Sequence, residues 1–186
     1  MEEQSALKQA IETANPVNAR LDAGLGLSEE VVRLISREKG EPNWMLEKRL
    51  AGLDAFNRTP LPTWGPSLAK LDINNIRFYL DPEAKKNATN WEDVPADIKT
   101  TFEKLGIPEA EQKVLAGAGA QYESAVVYHN LKKEWEDQGV IFLDMDEALK
   151  QHPSLVREYF MTRCVPVTDH KFTMLHAAVW SGGTFL

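Results

Sequence analysis

The sequence predicts a mainly α-helical protein with a little β structure towards its carboxyl end. Apolar residues recur at helical spacing over much of the chain. A short, continuous apolar run at 140–143 is typical of a buried strand. Residues 184–186 follow a Ser-Gly-Gly turn and open a second strand. Because so short a strand has no partner of its own, we expect it to be the leading edge of a larger sheet.

The composition is that of a globular chain of 186 residues, 43% hydrophobic and 26% charged. Its net charge of −7, without a basic cluster, argues against nucleic-acid binding. The single cysteine excludes an intrachain disulfide and fits a reducing compartment. The acidic start, Met1–Gln4, does not resemble a secretory signal, and no apolar run approaches the roughly 20 residues of a membrane span. We therefore expect a cytoplasmic protein.

The first third of the chain predicts an arm and a helical hairpin. Residues 1–27 are alanine-rich and weakly patterned, which favours a flexible arm. Ser28 can cap a helix that stops at Gly40, and Pro42 suits the first turn of the next helix. The apolar stripe predicted for that second helix is Leu46, Leu50 and Leu53.

A proline-rich stretch, 57–91, then interrupts the regular pattern. We expect an irregular loop there, an insertion or a mobile region, with at most a short strand at 76–80.

Helical patterning returns after Trp91. One helix is predicted from Pro95, with Ile98, Phe102 and Leu105 on its apolar face, and a short one over 109–116. Gly117–Gly119 is expected to turn the backbone between helices. A longer helix is predicted next, ending at Gly139, with an apolar face of Val127, Tyr128, Leu131 and Trp135.

The last part of the chain alternates strand and helix. The strand 140–143 is followed by short helices around 146–151 and 153–160, and then by a helix whose predicted face is Phe172, Leu175 and Val179. A strand, a helical crossover and a second strand predict parallel pairing of 140–143 with 184 onward. The predicted domains are the arm 1–27, a helical domain 28–138 containing the loop 57–91, and a β-containing region 139–186.

A metal site is the first chemical hypothesis to weigh. Cys164, His170 and His176 are evenly spaced, but zinc sites use close ligand pairs and three or four ligands. A loop cysteine with two ordinary histidines is the better interpretation. Asp144–Glu147 resembles the start of a calcium loop, but the glycine and terminal glutamate of such a loop are absent. An acidic N-cap and first helical turn explains these residues better.

Other motifs are equally weak. Gly117–Gly119 is followed by Tyr122 where a dinucleotide fingerprint requires glycine. No nucleophile elbow is present, and no carboxylate stands isolated in an apolar run. The tryptophans at 44, 64, 91, 135 and 180 fit core and interface anchors better than a ligand platform. The residues therefore predict no catalytic, cofactor-binding or metal site.

Seven short stretches carry a family resemblance. They are Gly26–Val32, Glu41–Leu46, Phe102–Pro108, Ala118–Ser124, Gly139–Phe142, His152–Pro153 and Ala177–Phe185. In this order they resemble the amino-terminal region of the SufB family, scaffold proteins of iron–sulfur cluster assembly. The resemblance runs from about residue 26 to the end of the chain.

The resemblance implies a larger protein with a helical amino-terminal region, a central right-handed parallel β-helix and a helical carboxyl-terminal region. This chain would then be the helical part, leading into the first strands of a truncated β-helix. The resemblance also implies a complex with the ATPase SufC and with SufD or a second SufB subunit, in which a nascent iron–sulfur cluster is built. The sulfur-accepting and cluster-binding residues of the family would lie outside this chain, which implies no enzyme activity here.

The chain departs from the family pattern at two places. Some members carry a cysteine cluster in the loop that corresponds to 80–90, whereas Asp81–Asn87 contains none. Cys164 stands where the pattern suggests an apolar residue. Two other functions stay open: a self-contained helical protein-interaction module and a small metal-binding protein that uses Cys164. A cloned fragment, an incomplete gene and an intein-interrupted gene would each give an end at Leu186.

Overall fold

The computed structural model describes residues 19–82, 88, 91–96, 98–100 and 117–186. The chain divides into two compact units. The helical unit comprises Asp22–Leu80 and Leu143–Phe185, and the hairpin unit comprises the described parts of Met1–Leu21 and Asp81–Phe142, with Leu186. The helices, in chain order, are α1 (Glu29–Lys39), α2 (Asn43–Arg58), α3 (Lys133–Glu136), α4 (Met145–Gln151), α5 (Pro153–Tyr159) and α6 (Lys171–Val179). The strands are β1 (Ala19–Asp22), β2 (Leu80–Pro82), β3 (Gly117–Tyr122), β4 (Ala125–Leu131), β5 (Leu143–Asp144) and β6 (Thr184–Phe185), with 3₁₀ turns at Ile73–Asn75 and Trp91–Asp93.

The predicted helical hairpin of α1 and α2 is confirmed. The Ser28 hydroxyl accepts a hydrogen bond from the Val31 N–H at the start of α1. Gly40 closes α1 with φ 63°, a left-handed conformation that glycine adopts without strain. These local signals set where the helix begins and ends.

The buried face of α2 differs from the predicted stripe. Leu53 is buried as expected, but Leu46 and Leu50 are only partly buried. The buried stripe is shifted by about one residue from the predicted one. The reason is that α2 packs against two helices, α1 and α6. Its buried residues are Met45, Arg49, Gly52, Leu53 and Phe56.

The contact between α2 and α6 is very close at Gly52. A Cβ atom at Gly52 would lie 2.8 Å from Ala177 Cβ and 2.9 Å from the Met174 carbonyl oxygen. The face that α6 buries is accordingly small, Met174, Ala177 and Ala178, and the predicted face of Phe172, Leu175 and Val179 is only partly buried. Small residues on both helices allow the backbones to approach.

The described part of the proline-rich stretch is largely irregular, as predicted. The expected strand at 76–80 is displaced: Arg77 forms an isolated antiparallel bridge with Leu25, and the strand proper is β2, which pairs with β1. The arm predicted over 1–27 lies mainly outside the described residues, and its described part contains β1.

The hairpin unit contradicts the prediction of a long helix before Gly139. β3 and β4 form an antiparallel hairpin with a turn at Glu123–Ser124, and only the short α3 is helical. The Gly117–Gly119 segment is likewise a strand and not a turn between helices. The β-branched and aromatic run of β4 favours a strand once it packs in a core, here with Ala88, Val94 and Ile98. The predicted helices at 95–105 and 109–116 lie mostly outside the described residues.

The predicted entry into a parallel β-helix is wrong. β5 and β6 pair antiparallel, Leu143 opposite Phe185 and Asp144 opposite Thr184. The three sheets formed by the described strands have two strands each. Three helices separate β5 from β6, so the chain can return in the opposite direction and the rule for a single-helix crossover does not apply.

The two short helices before the last helix are confirmed as α4 and α5. Within the described ranges, no helix has the length and apolar character needed to cross a membrane.

Substitution of Gly52 by alanine tests the close approach of α2 and α6. Alanine gains up to about 1 kcal/mol of helix propensity over glycine, but its methyl group would meet the backbone of α6. We expect Gly52→Ala to lower the free energy of unfolding by about 1–3 kcal/mol in urea denaturation. Ala51→Leu, on the exposed side of the same turn, should change it by less than about 0.5 kcal/mol. A more stable Gly52→Ala protein would contradict this packing.

Candidate functional site

The centre of the helical unit is a buried arginine. Arg49 has no exposed surface, and it makes a bidentate ion pair with Glu41: Nε to Oε2 at 2.7 Å and Nη2 to Oε1 at 2.6 Å. The same guanidinium donates to the Ala178 carbonyl at 3.1 Å and to the Trp180 carbonyl at 2.9 Å. Arg49 therefore compensates the buried carboxylate and caps the carboxyl end of α6.

A second ion pair lies beside the first. The Lys39 ammonium contacts the Asp146 carboxylate at 2.6 Å, and the Lys39 side chain is only 2% exposed. The Trp180 ring lies near both cations, 4.6 Å from Arg49 Cζ and 5.9 Å from Lys39 Nζ. These contacts connect the end of α1, the start of α4 and the end of α6.

Sequence reasoning missed these buried charges. Arg49 lies four residues after Met45 and four before Leu53. This helical spacing places Arg49 on the same face as two apolar residues, which was the sequence signal for a buried charge. The sequence shows no carboxylate isolated in an apolar run, and that criterion did not identify Asp81 and Asp144, which are almost fully buried. The Arg20 Nε donates to Asp81 Oδ2 at 2.9 Å, so the Arg20 guanidinium compensates the buried Asp81 carboxylate.

The acidic start of α4 behaves as predicted. Asp144 Oδ1 accepts hydrogen bonds from the backbone N–H of Asp146 at 2.8 Å and of Glu147 at 3.1 Å, so the predicted N-cap is confirmed. Burial raises the pKa of the Asp144 carboxyl, outweighing the two cap hydrogen bonds that lower it. In contrast, a hydrogen bond from Lys150 lowers the pKa of Glu147.

A small cavity lies between the end of α5 and α6. Its volume is about 220 Å³, and its lining is mainly apolar. Met161, at its edge, has φ 54°, an uncommon backbone conformation for a residue with a side chain. We call it the 159–176 cavity; its lining residues are Tyr159, Phe160, Met161, Cys164, Val165, Val167, Thr173 and His176.

The structure places two of the three residues of the metal hypothesis at one cavity and the third outside its lining. Cys164 and His176 both line the 159–176 cavity, but His170 does not. His170 caps α6, with Nδ1 accepting from the Phe172 N–H at 3.2 Å, and its ring contacts Trp64 at 5.1 Å between centroids. Burial, and then the charge of Arg49, lower the pKa of His176. Across the described part of the chain, no three His, Cys, Asp or Glu side chains group as a metal site.

The tryptophans divide between core and surface. Trp180 is buried, and Trp91 packs edge-on against Tyr128 at 5.5 Å. Trp64 is 70% exposed and Trp135 39% exposed, so these two are not core anchors.

Comparison with known proteins gives the family context. The chain is 53% identical over 161 residues to a protein of Staphylococcus saprophyticus and 51% identical over 161 residues to one of Staphylococcus aureus. It is 50% identical over 169 residues to a protein of Mycobacterium tuberculosis. All three are named iron–sulfur cluster assembly SufBD family proteins. These names confirm the resemblance to the SufBD family, and they do not specify SufB.

The match covers most of this chain but only part of the relatives. It extends over 87% of the chain for the staphylococcal proteins and 90% for the mycobacterial one. The chain spans 34% of the length of the staphylococcal relatives and 20% of the mycobacterial relative. No family model matches the sequence.

Removal of Arg49 tests the buried ion pair. Arg49→Met leaves the Glu41 carboxylate buried without its counter-charge, so we expect a loss of about 3–5 kcal/mol in the free energy of unfolding. The double variant Arg49→Met/Glu41→Leu removes both charges and should recover a large part of this loss. Urea denaturation of the single and double variants measures the coupling. Arg33→Met, which breaks the exposed pair of Arg33 with Glu29, is the control and should cost less than about 1 kcal/mol.

Asp144 should make folding pH-dependent in a defined direction. Because its pKa is raised, the folded state holds this proton more tightly than the unfolded chain, and its contribution to stability is lost as pH rises through the raised pKa. Asparagine keeps the cap without a charge. We expect Asp144→Asn to become more stable relative to the parent between about pH 3 and about pH 7. Glu147→Gln should show the opposite trend, since its pKa is lowered. The free energy of unfolding of each variant, relative to the parent, is measured by urea denaturation at each pH. If it changed with pH in the same direction for both variants, the opposite pKa shifts assigned to Asp144 and Glu147 would be contradicted.

Proposed function

We propose that this chain is the amino-terminal part of a SufB-like scaffold protein for iron–sulfur cluster assembly, and that it has no catalytic role of its own. The observation that carries the proposal is the identity of about half the residues, over about nine-tenths of the chain, with proteins named for that assembly. We propose a cytoplasmic location, as for the family that the sequence resembles.

The position of the resembling stretches supports a shared structural role. Glu41–Leu46 contains the carboxylate that pairs with Arg49, and Ala177–Phe185 contains the two carbonyls that Arg49 caps. Gly26–Val32 contains the N-cap Ser28. The stretches that resemble the SufB family therefore include the anchor points of the helical unit, which favours a supporting function over a chemical one.

The proposed partners are a SufC-like ATPase and a SufD-like or second SufB subunit, in a complex formed by the whole protein. In that complex the cluster is the product under assembly, and its ligands would come from other parts of the scaffold. The helical unit would support that core and present it to the partners.

A self-contained helical interaction module is the second candidate. It is favoured by three exposed apolar side chains on α5 and the loop that follows: Leu155 is 40% exposed, Tyr159 54% and Val165 53%. Apolar side chains on the surface are available for contact with another protein. Such a module would bind its partner without the remainder of a scaffold.

A segment exchange tests the first proposal and separates SufB from SufD. Residues 26–186 replace the corresponding segment of a SufB gene or of a SufD gene, and each chimera is introduced into a strain depleted of the host protein. We expect the SufB chimera, and not the SufD chimera, to restore the activity of cluster-dependent enzymes. The SufB chimera carrying Arg49→Met is the control for folding of the segment and should not restore it.

Rescue by the SufD chimera alone would contradict the SufB-like assignment. The isolated chain, supplied with iron and sulfide without oxygen, should acquire no cluster absorbance. Formation of a stoichiometric cluster on the isolated chain would contradict the supporting role. Partner capture by the isolated chain that is lost on Tyr159→Ser, together with failure of both chimeras, would favour the interaction module.

A further inference from the structure

An exposed tryptophan and the 159–176 cavity lie side by side in the helical unit. The Trp64 ring is 70% exposed and lies 5.1 Å from the ring of His170, measured between centroids. The backbone N–H of His170 donates to Thr173 Oγ1 at 2.9 Å, and Thr173 lines the cavity. Thr173 Oγ1 in turn donates to the carbonyl of Val167, a second lining residue, at 2.9 Å. A protruding aromatic side chain and a small cavity are therefore neighbours across the first turn of α6.

We propose that this face of the helical unit binds a second copy of the same chain about a two-fold axis, with Trp64 of each copy in the 159–176 cavity of the other. An isologous contact of this kind requires a surface that is complementary to itself, since both copies present the same residues. A projecting side chain beside a cavity meets this requirement, and the two-fold axis makes the same contact twice. The contact goes beyond the proposed scaffold function, because it belongs to the isolated chain.

The size and lining of the cavity suit a single side chain. Its volume of about 220 Å³ is below the roughly 300–1,000 Å³ of pockets that hold small-molecule ligands. Its lining is mainly apolar and contains no lysine, arginine or carboxylate. Tryptophan is one of the residue types most enriched among the side chains that fill pockets at protein interfaces. The cavity therefore fits an aromatic anchor better than it fits a cofactor.

Trp64 is held in place before a partner binds. The loop that carries it leaves α2 where Lys171 Nζ donates to the carbonyl oxygens of Phe56, at 2.7 Å, and of Thr59. Gly65 follows with φ 81°, a left-handed conformation that turns the chain directly after the tryptophan. Because the loop is held at its base and the ring already packs at the start of α6, Trp64 loses little conformational freedom on binding, which favours association.

Exposed apolar side chains continue from the cavity along α5. Tyr159 lines the cavity, and Leu155 lies one turn earlier on the same face of α5. Both are exposed, as is Val165, a lining residue from the loop after α5. Contiguous apolar surface of this kind marks interaction sites. The face is small against the ~1,200–2,000 Å² that stable dimers bury in total, so the expected dimer dissociates on dilution.

The charges of this face favour a second copy. The net charge of the chain is −7, which opposes self-association in general. Residues 153–176, which contain α5 and the whole cavity lining, carry three Lys or Arg and two Asp or Glu, a balance of +1. Arg163 and Glu158 form a long ion pair of 3.5 Å, with side chains 73% and 49% exposed. A two-fold axis can therefore pair the cation of one copy with the carboxylate of the other.

Sedimentation velocity of the 186-residue chain, from low-micromolar to sub-millimolar protein and with a reductant that keeps Cys164 as a thiol, tests the proposal. We expect a reversible monomer–dimer equilibrium. Trp64→Ala should weaken it by about 100-fold or more, because each dimer loses two tryptophan anchors and one anchor is worth about tenfold or more. Trp135→Ala is the matched control, since it removes another exposed tryptophan, in the hairpin unit. It should leave the equilibrium unchanged.

A mixing experiment distinguishes this geometry from other dimers. Cys164→Phe fills the cavity and Val165→Glu places a charge at its edge, so each should weaken association of the variant with itself. A mixed dimer of either variant with Trp64→Ala keeps one complete contact, between the Trp64 of the cavity variant and the open cavity of the Trp64→Ala chain. The mixed dimer should therefore form about tenfold or more tightly than the dimer of either variant alone.

Three results would overturn the proposal. The parent chain would stay monomeric at sub-millimolar concentration, which would leave this face to a different kind of partner. Trp64→Ala would associate as the parent does, or Trp135→Ala would weaken association equally. The mixture would associate no better than its two components. Far-ultraviolet circular dichroism must match the parent for each variant, and Val165→Glu decides the mixing test if Cys164→Phe alters the spectrum. None of these results bears on the scaffold function, which the segment exchange tests separately.

Discussion

The buried pair of Arg49 and Glu41 is the interaction on which the helical unit depends. The guanidinium is held by two bonds to one carboxylate and two to the backbone carbonyls of Ala178 and Trp180, so its charge and most of its donors are satisfied away from water. An arginine in this position without those partners would oppose folding by the free energy of its dehydration. The pair therefore permits one arrangement of α2 against the end of α6 and penalises others.

Several features of the helical unit follow from that arrangement. The Trp180 ring lies near the buried cations and belongs to the apolar cluster that also contains Met145 of α4 and Val156 of α5, so both helices pack in the same cluster as Trp180. Gly52 and Ala177 let the helix backbones approach closely. The loop between α5 and α6 is then held at both ends, which leaves the 159–176 cavity between them. A structural ion pair thus positions α6, which contributes Thr173 and His176 to the lining of this cavity.

The parts of the fold that local rules govern could be predicted from the sequence. Ser28, Gly40 and Asp144 act at the ends of helices as their residue types suggest, because a cap depends on neighbours within a few residues. The hairpin of β3 and β4 could not be recognised, since a run such as Ala125–Tyr128 suits a buried helix as well as a buried strand. The antiparallel direction of β6 relative to β5 could not be predicted either, because it depends on how the three helices between the two strands pack in the helical unit. Arg49 was missed for a related reason: burial of a charge depends on partners far along the chain, and its contact with Ala178 spans 129 positions.

The discontinuity of the helical unit along the chain has a consequence for the nascent polypeptide. At roughly 5–20 residues per second, a ribosome needs about 6–26 seconds to progress from Arg49 to Ala178, which are 129 positions apart. Throughout that interval α1 and α2 can form their hairpin, but the groove that receives α6 stays open to water and to chaperones. The intervening chain, including β3 and β4, is synthesised first. The helical unit can close only when α6 leaves the ribosome, so its amino-terminal half waits for its carboxyl-terminal half.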